Sequence, residues 1–119
     1  MKGITAYRDA AVTTQSKGRL IVLLYDGAVK FMKLAINEIE AGDQEAKGRY
    51  INRAQDIINE LNAVLNTESG GDVAQNLRRL YCFMTNRLSQ ANAKSDPDMV
   101  REVIAIMDEL NQGWKTVAG

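Results

Sequence analysis

The stretch RLIVLLYDGAVKFM, Arg19–Met32, puts ten apolar residues into fourteen positions of a 119-residue chain in which fifteen basic and fifteen acidic side chains cancel. It holds one glycine and no proline, so it reads as helix. Extended to Ile39, its main stripe is Leu20, Ile21, Leu24, Tyr25, Ala28, Phe31, Met32, Ala35, Ile36 and Ile39. At 100° per residue that stripe fills roughly 160°, about what packing into a bundle needs. Leu23 and Leu34 lie beyond one edge with Gly27 between them, and Val22 and Val29 lie beyond the other, which widens the apolar arc to roughly 240°. Only Asp26, Lys30, Lys33 and Asn37 mark a solvated side. A helix this apolar needs cover on a second side as well as the first.

Outward from that helix, the single proline and nine glycines fall mostly near segment ends, which predicts long helices with short punctuation. The first helix is expected from about Gly18 to Ala41, with Ser16 as N-cap and Gly42-Asp43 as its stop. A second, from about Glu45 to Asn66, carries Tyr50, Ile51, Ala54, Ile57, Ile58, Leu61, Val64 and Leu65 at three- and four-residue steps. After Thr67-Glu68-Ser69-Gly70-Gly71, a third runs from about Asp72 to Ala93, with Val73, Leu77, Leu80, Tyr81, Met84, Leu88 and Ala91 as its stripe. The fourth opens at Asp96-Pro97, a capping side chain before a ring pre-set for the first helical position. It continues through Met99, Val103, Ile106, Met107, Leu110 and Trp114.

Loops this short make successive helices antiparallel neighbours, so the fold class is all-α, an up-down four-helix bundle forming one domain over residues 1–119. Ile4, Tyr7 and Ala11 are spaced for a short amphipathic segment, and Thr13–Ser16 form a polar hinge after it. Residues 1–15 are therefore expected to act as a capping tail and 16–119 as the bundle. Each member of a four-helix bundle has two neighbours and one outward side, so the excess width of the first helix asks for a fifth element. Val100 and Ile104, off the main stripe of the fourth helix, and Phe83, off that of the third, point the same way.

Composition closes off other functions. With no histidine there is no imidazole for proton shuttling, histidine phosphotransfer or a ferritin-like di-iron site. Cys82 has no base to activate it, and Glu38, Glu40, Asp43 and Glu45 lack calcium-ligand spacing. No enzyme, cofactor or metal site is expected. Balanced charge gives no nucleic-acid surface, and Arg78-Arg79 read as a solvated face. No apolar run reaches the roughly 20 residues needed for membrane insertion, and the N-terminus has no secretory pattern, so a cytoplasmic protein is expected. Tyr25 reads as a buried aromatic with a satisfied hydroxyl, Asp26 as a solvated carboxylate, and Trp114 as a plug closing one bundle end.

The string Thr14–Ala28, TQSKGRLIVLLYDGA, with Tyr7 and Val12-Thr13 upstream, resembles the flagellin export chaperones of the FliS type. Ala54–Leu61, Tyr81, Asn86-Arg87-Leu88, Ala91-Asn92 and Trp114 extend the resemblance over almost the whole chain, while Lys17 stands where many members have proline. The resemblance implies a chaperone that holds the flagellin C-terminal region, prevents premature polymerisation and hands its client to an export gate component of the flagellar type III secretion system. It also implies an N-terminal tail that caps the binding surface when no client is present. On this reading the partner-binding residues are Ile4 and Tyr7 as a displaceable lid, Leu20, Leu23, Gly27 and Leu34 on the first helix, and Val100 and Ile104 on the fourth. The alternative is a structural or scaffold bundle that forms a homodimer through its apolar first helix.

Overall fold

The computed structural model describes the backbone of residues 2–68 and 71–118 and the side chains of residues 18–65 and 71–116. Four helices follow one another: α1 (Lys2–Ala41), α2 (Gln44–Glu68), α3 (Asp72–Lys94) and α4 (Pro97–Ala118). α1 packs on α2 and α4, and α3 packs on the same two, which is the square, antiparallel arrangement expected from short loops.

One boundary differs. α1 runs unbroken from Lys2, so Ser16 is not an N-cap and Thr13–Ser16 do not interrupt the helix. The reason is local: those four residues include neither glycine nor proline, and weak helix formers flanked by helix do not stop it. At about 1.5 Å per residue, forty helical residues span about 60 Å, which accounts for the 58 Å long axis of the molecule.

Both turns at the other end are closed by their own residues. Gly42, at φ 78°, takes the left-handed position after α1; the Gly42 amide donates to the Ile39 carbonyl at 3.2 Å and the Asp43 amide to Glu38 at 3.0 Å, the paired bonds of a Schellman motif. Asp43 then accepts the Ala46 amide at 3.0 Å and so caps α2. α3 ends the same way with Ser95 in the left-handed region at φ 51°. Asp96 accepts the amides of Asp98 at 2.9 Å and Met99 at 3.4 Å, with Pro97 at the first helical position as its sequence indicates.

Gly71 opens α3 at φ 100°, ψ 171°, with no side-chain cap. Nothing lies within 4 Å of where a Cβ would stand, so only the backbone conformation demands glycine. Gly71→Ala is expected to lower stability by about 1–3 kcal/mol in urea unfolding, the cost of forcing a Cβ into that region.

The core is one cluster built from all four helices, centred on Tyr25, Met32, Ile51, Ile58, Met84, Leu88, Val100, Val103 and Met107, all without measurable exposure. Helix α4 departs from the expected register. Its buried stripe is Val100, Val103, Met107 and Asn111, while Met99, Ile106 and Leu110 sit half-buried at one flank. Val100 is thus at the centre of the packed face. Hydropathy spacing puts it off the stripe because the residue that continues the buried series, Asn111, is polar.

Candidate partner-binding surface

On α1, the excess apolar width divides between the two neighbouring helices and solvent. Val29 enters the core at 8% exposure and Val22 is half-buried, so the edge facing α4 is largely covered. On the other edge Leu20 stays 49% and Leu23 65% exposed. Leu34 is half-buried and lines an open groove of about 510 Å³ along α1 and α4, shared with Val29, Lys30, Lys33, Asp108 and Lys115. The surface left over is therefore a strip of leucines beside a groove with lysine and aspartate walls.

Gly27 faces α2. A Cβ there would stand 3.4 Å from Ile57 Cδ1, ordinary contact distance. Next to it, the Phe31 ring lies 6.2 Å from Tyr50 in a stacked pair, and the Arg53 guanidinium sits 5.7 Å over Phe31. These contacts seal the seam between α1 and α2 around Phe31.

The remaining candidates separate. Ile104 is half-buried against the core, at the edge of the groove helix α4. Val100 has no exposure and belongs to the core, which corrects its assignment to a partner-facing position. Ile4 and Tyr7 lie outside the residues whose side chains are described. Among the described residues, Phe83 at 41% and Val73 at 74% complete the exposed large apolar side chains. Val73 was legible only as core: it falls on the α3 stripe, and nothing in its own spacing reveals that the stripe outruns its partners.

Tyr25 and Tyr81 cross the bundle diagonal. Their hydroxyls are 2.6 Å apart in the core, and the Trp114 ring lies 6.3 Å from Tyr25, tilted by 50°. This is the satisfied buried aromatic and the half-buried plug that the sequence suggests. Burial raises the Tyr25 phenol above its ordinary value, partly offset by hydrogen bonding to Tyr81 and Trp114. Burial also raises Tyr81, by more, and its bond to Tyr25 adds to the effect. Asp26, beside Tyr25, is partnered rather than simply solvated: Asn111 Nδ2 donates to it at 2.8 Å and Lys115 Nζ lies at 3.7 Å.

Two outcomes follow from the tyrosine pair. Tyr81→Phe takes from the buried Tyr25 hydroxyl one of its two partners and leaves it only Trp114, and urea unfolding is expected to register a loss of about 1–3 kcal/mol. Both phenols are raised in the folded chain, whereas in the unfolded chain they ionise near pH 10. The stability they carry is complete below about pH 10 and is lost as pH rises beyond it, because the unfolded chain then sheds protons that the folded chain retains. The urea midpoint should fall between pH 9 and pH 11, and fall less in Tyr81→Phe.

Among the described residues no cluster of acidic or thiol groups is arranged to hold a metal. No described helix is long and apolar enough to cross a membrane. Cys82 is exposed and free.

The profile of the family described as "Flagellar protein FliS" matches residues 1–119. Similar proteins named flagellar secretion chaperone FliS include three of high coverage. The Vibrio cholerae protein is 35% identical over 98% of this chain and 90% of its own length. The Bacillus subtilis protein is 38% identical over 93% of this chain and 82% of its own. The Salmonella typhimurium protein is 38% identical over 98% of this chain and 90% of its own.

Proposed function

The chain belongs to the FliS family, whose members are non-enzymatic flagellar secretion chaperones, and from that premise we propose that it is a cytoplasmic export chaperone for flagellin. It binds the disordered C-terminal segment of newly made flagellin, keeps that segment from polymerising, and delivers it to the export gate of the flagellar type III secretion apparatus. The observation that carries this reading is the exposure of Leu20 and Leu23, 49% and 65%, on a helix otherwise committed to the core. Farther along α1, Leu34 lines the groove shared with α4, and Ile104 on α4 is half-buried.

A segment disordered when free gives up part of its interaction energy in ordering, so it needs several apolar anchors along a track. Four leucine-sized side chains at about 2 kcal/mol each supply about 8 kcal/mol before that cost, and micromolar binding already requires about 8 kcal/mol net. The client therefore wraps over more than one helix face. For Ile4 and Tyr7 to act as the lid over the leucine strip when no client is present, α1 must open at Thr13–Ser16, since the continuous helix holds them about 20 Å or more along its axis from Leu20 and Leu23; competition from the lid then lowers the apparent affinity by the fraction of time the strip is covered.

The test is calorimetric titration of the chain with the last ~40 residues of the cognate flagellin, a length suited to a client that folds as it binds a large interface. Heat release at micromolar concentration or below, together with a gain of helical signal by the client, is expected. A chain that ignores the peptide and instead self-associates at micromolar concentration belongs to the scaffold alternative, with Leu20 and Leu23 as a homodimer surface.

A further inference from the structure

The two ends of the bundle are finished in opposite ways. At the end formed by the α1–α2 and α3–α4 turns, the buried stripe of α2, which runs through Ile51, Ala54, Ile58 and Leu61, terminates in Lys47, only 5% exposed. An ammonium has three donors, and all are used: Lys47 Nζ donates to Gln44 Oε1, to the Asn92 carbonyl at 2.8 Å and to Ser95 Oγ at 2.9 Å. One side chain from the start of α2 thus closes the last turn of α3, where a cation also suits the helix dipole. Outside it, Arg101 of α4 meets Glu40 of α1 at 2.9 Å, and Arg87 of α3 grips Glu102 of α4 at 2.9 and 3.3 Å.

At the opposite end the α3 stripe that includes Met84, Leu88 and Ala91, all fully buried, begins at Val73, which is 74% exposed. Ala74 beside it is buried and Trp114 is half-buried, so Val73 marks the rim of the core at this end. In the same half of the bundle lie the two buried side-chain oxygens without a hydrogen-bond partner among the described residues, Asn62 Oδ1 on α2 and Asn111 Oδ1 on α4. A buried acceptor left unpaired costs about as much as the hydrogen bond it lacks, and water recovers that cost when the site opens.

We propose that the bundle works as a clamp: it is pinned at the Lys47 end and opens first at the Val73–Trp114 end, where movement of α2 and α4 away from α1 and α3, the helices they pack on, hydrates the two asparagine oxygens. Opening is a sub-global event, lower in free energy than unfolding, and it is confined to one half because Lys47 holds the two turns of the other half together. The device belongs to the chain alone and does not depend on the identity of its client.

Amide hydrogen exchange of the whole chain, followed by mass spectrometry in rising sub-denaturing urea, tests it. Amides of residues 58–65 and 110–116 are expected to exchange at least about 10-fold faster than those of 47–54 and 88–93, with a shallower urea dependence. A common rate and slope at both ends overturns the proposal. Asn111→Leu removes one orphaned oxygen together with the amide's bond to Asp26, a half-exposed carboxylate that water and Lys115 can still serve, and is expected to slow exchange at the open end about 10-fold without changing the pinned end; uniform slowing overturns it. Lys47→Met is expected to raise exchange at the turn end selectively, and an equal rise at both ends overturns it. Should Lys47→Met fail to fold, the Asn111→Leu pattern decides.

Discussion

Leu23→Asp is expected to weaken capture of the flagellin C-terminal segment by about 100-fold while leaving the chain folded. Leu23 is 65% exposed, so it contributes little to the core of the free protein. Loss of one leucine contact removes about 2 kcal/mol, about 30-fold in Kd, and a carboxylate placed against an apolar client adds a desolvation cost on top. For the free chain the change is confined to helix propensity and an exposed side chain, roughly 0.5 kcal/mol. Calorimetry with the same peptide, alongside urea unfolding of the variant, separates the two effects. Normal binding by Leu23→Asp would place the client elsewhere than on the leucine strip.

Val100→Asp should have the reverse profile. Val100 has no exposure and packs among Val103, Met107 and the α1 side of the core. A carboxylate there has no partner, and an unpaired buried charge belongs to the small class of substitutions costing more than about 4 kcal/mol. The chain is expected to lose its cooperative unfolding transition at 25 °C, and client binding disappears with the fold. Far-UV circular dichroism and size-exclusion chromatography without client would show this directly. A folded Val100→Asp that fails only in binding would return Val100 to the partner surface.

The contrast between these residues shows what spacing alone can read. Leu23 and Val100 are both branched aliphatics lying off a helical stripe, and by sequence they look equivalent. They part because the stripe of α4 is completed by a polar residue. Asn111 is 4% exposed and satisfies its amide on Asp26 of α1. No hydropathy pattern counts an asparagine as core, so the spacing of Met99, Val103, Ile106, Met107, Leu110 and Trp114 draws the face to one side and leaves Val100 off it.

Val73 errs in the other direction: it keeps the α3 periodicity and still has nothing to pack against, since burial depends on how far the neighbouring helices reach. The groove along α1 and α4 was not legible at all, because its walls come from residues about eighty positions apart in the chain.

By itself the sequence determined the four helices, their order and the caps at the α1–α2 and α3–α4 turns, though not where α1 begins. Gly42, Asp43, Asp96 and Pro97 act within a few residues of themselves, and their backbone conformations and capping bonds follow from local chemistry. The same locality made the apolar excess of α1 visible and carried the family resemblance. Tertiary structure alone decided which part of that excess remains in water, because exposure is a property of the neighbours: Val29 is buried and Val22 half-buried, while among the described residues Leu20 and Leu23 keep 49% and 65% of their surface. It also decided where charge is buried, since Lys47 is stable in the interior only because Asn92 and Ser95, forty-five and forty-eight residues away, supply the oxygens its ammonium requires.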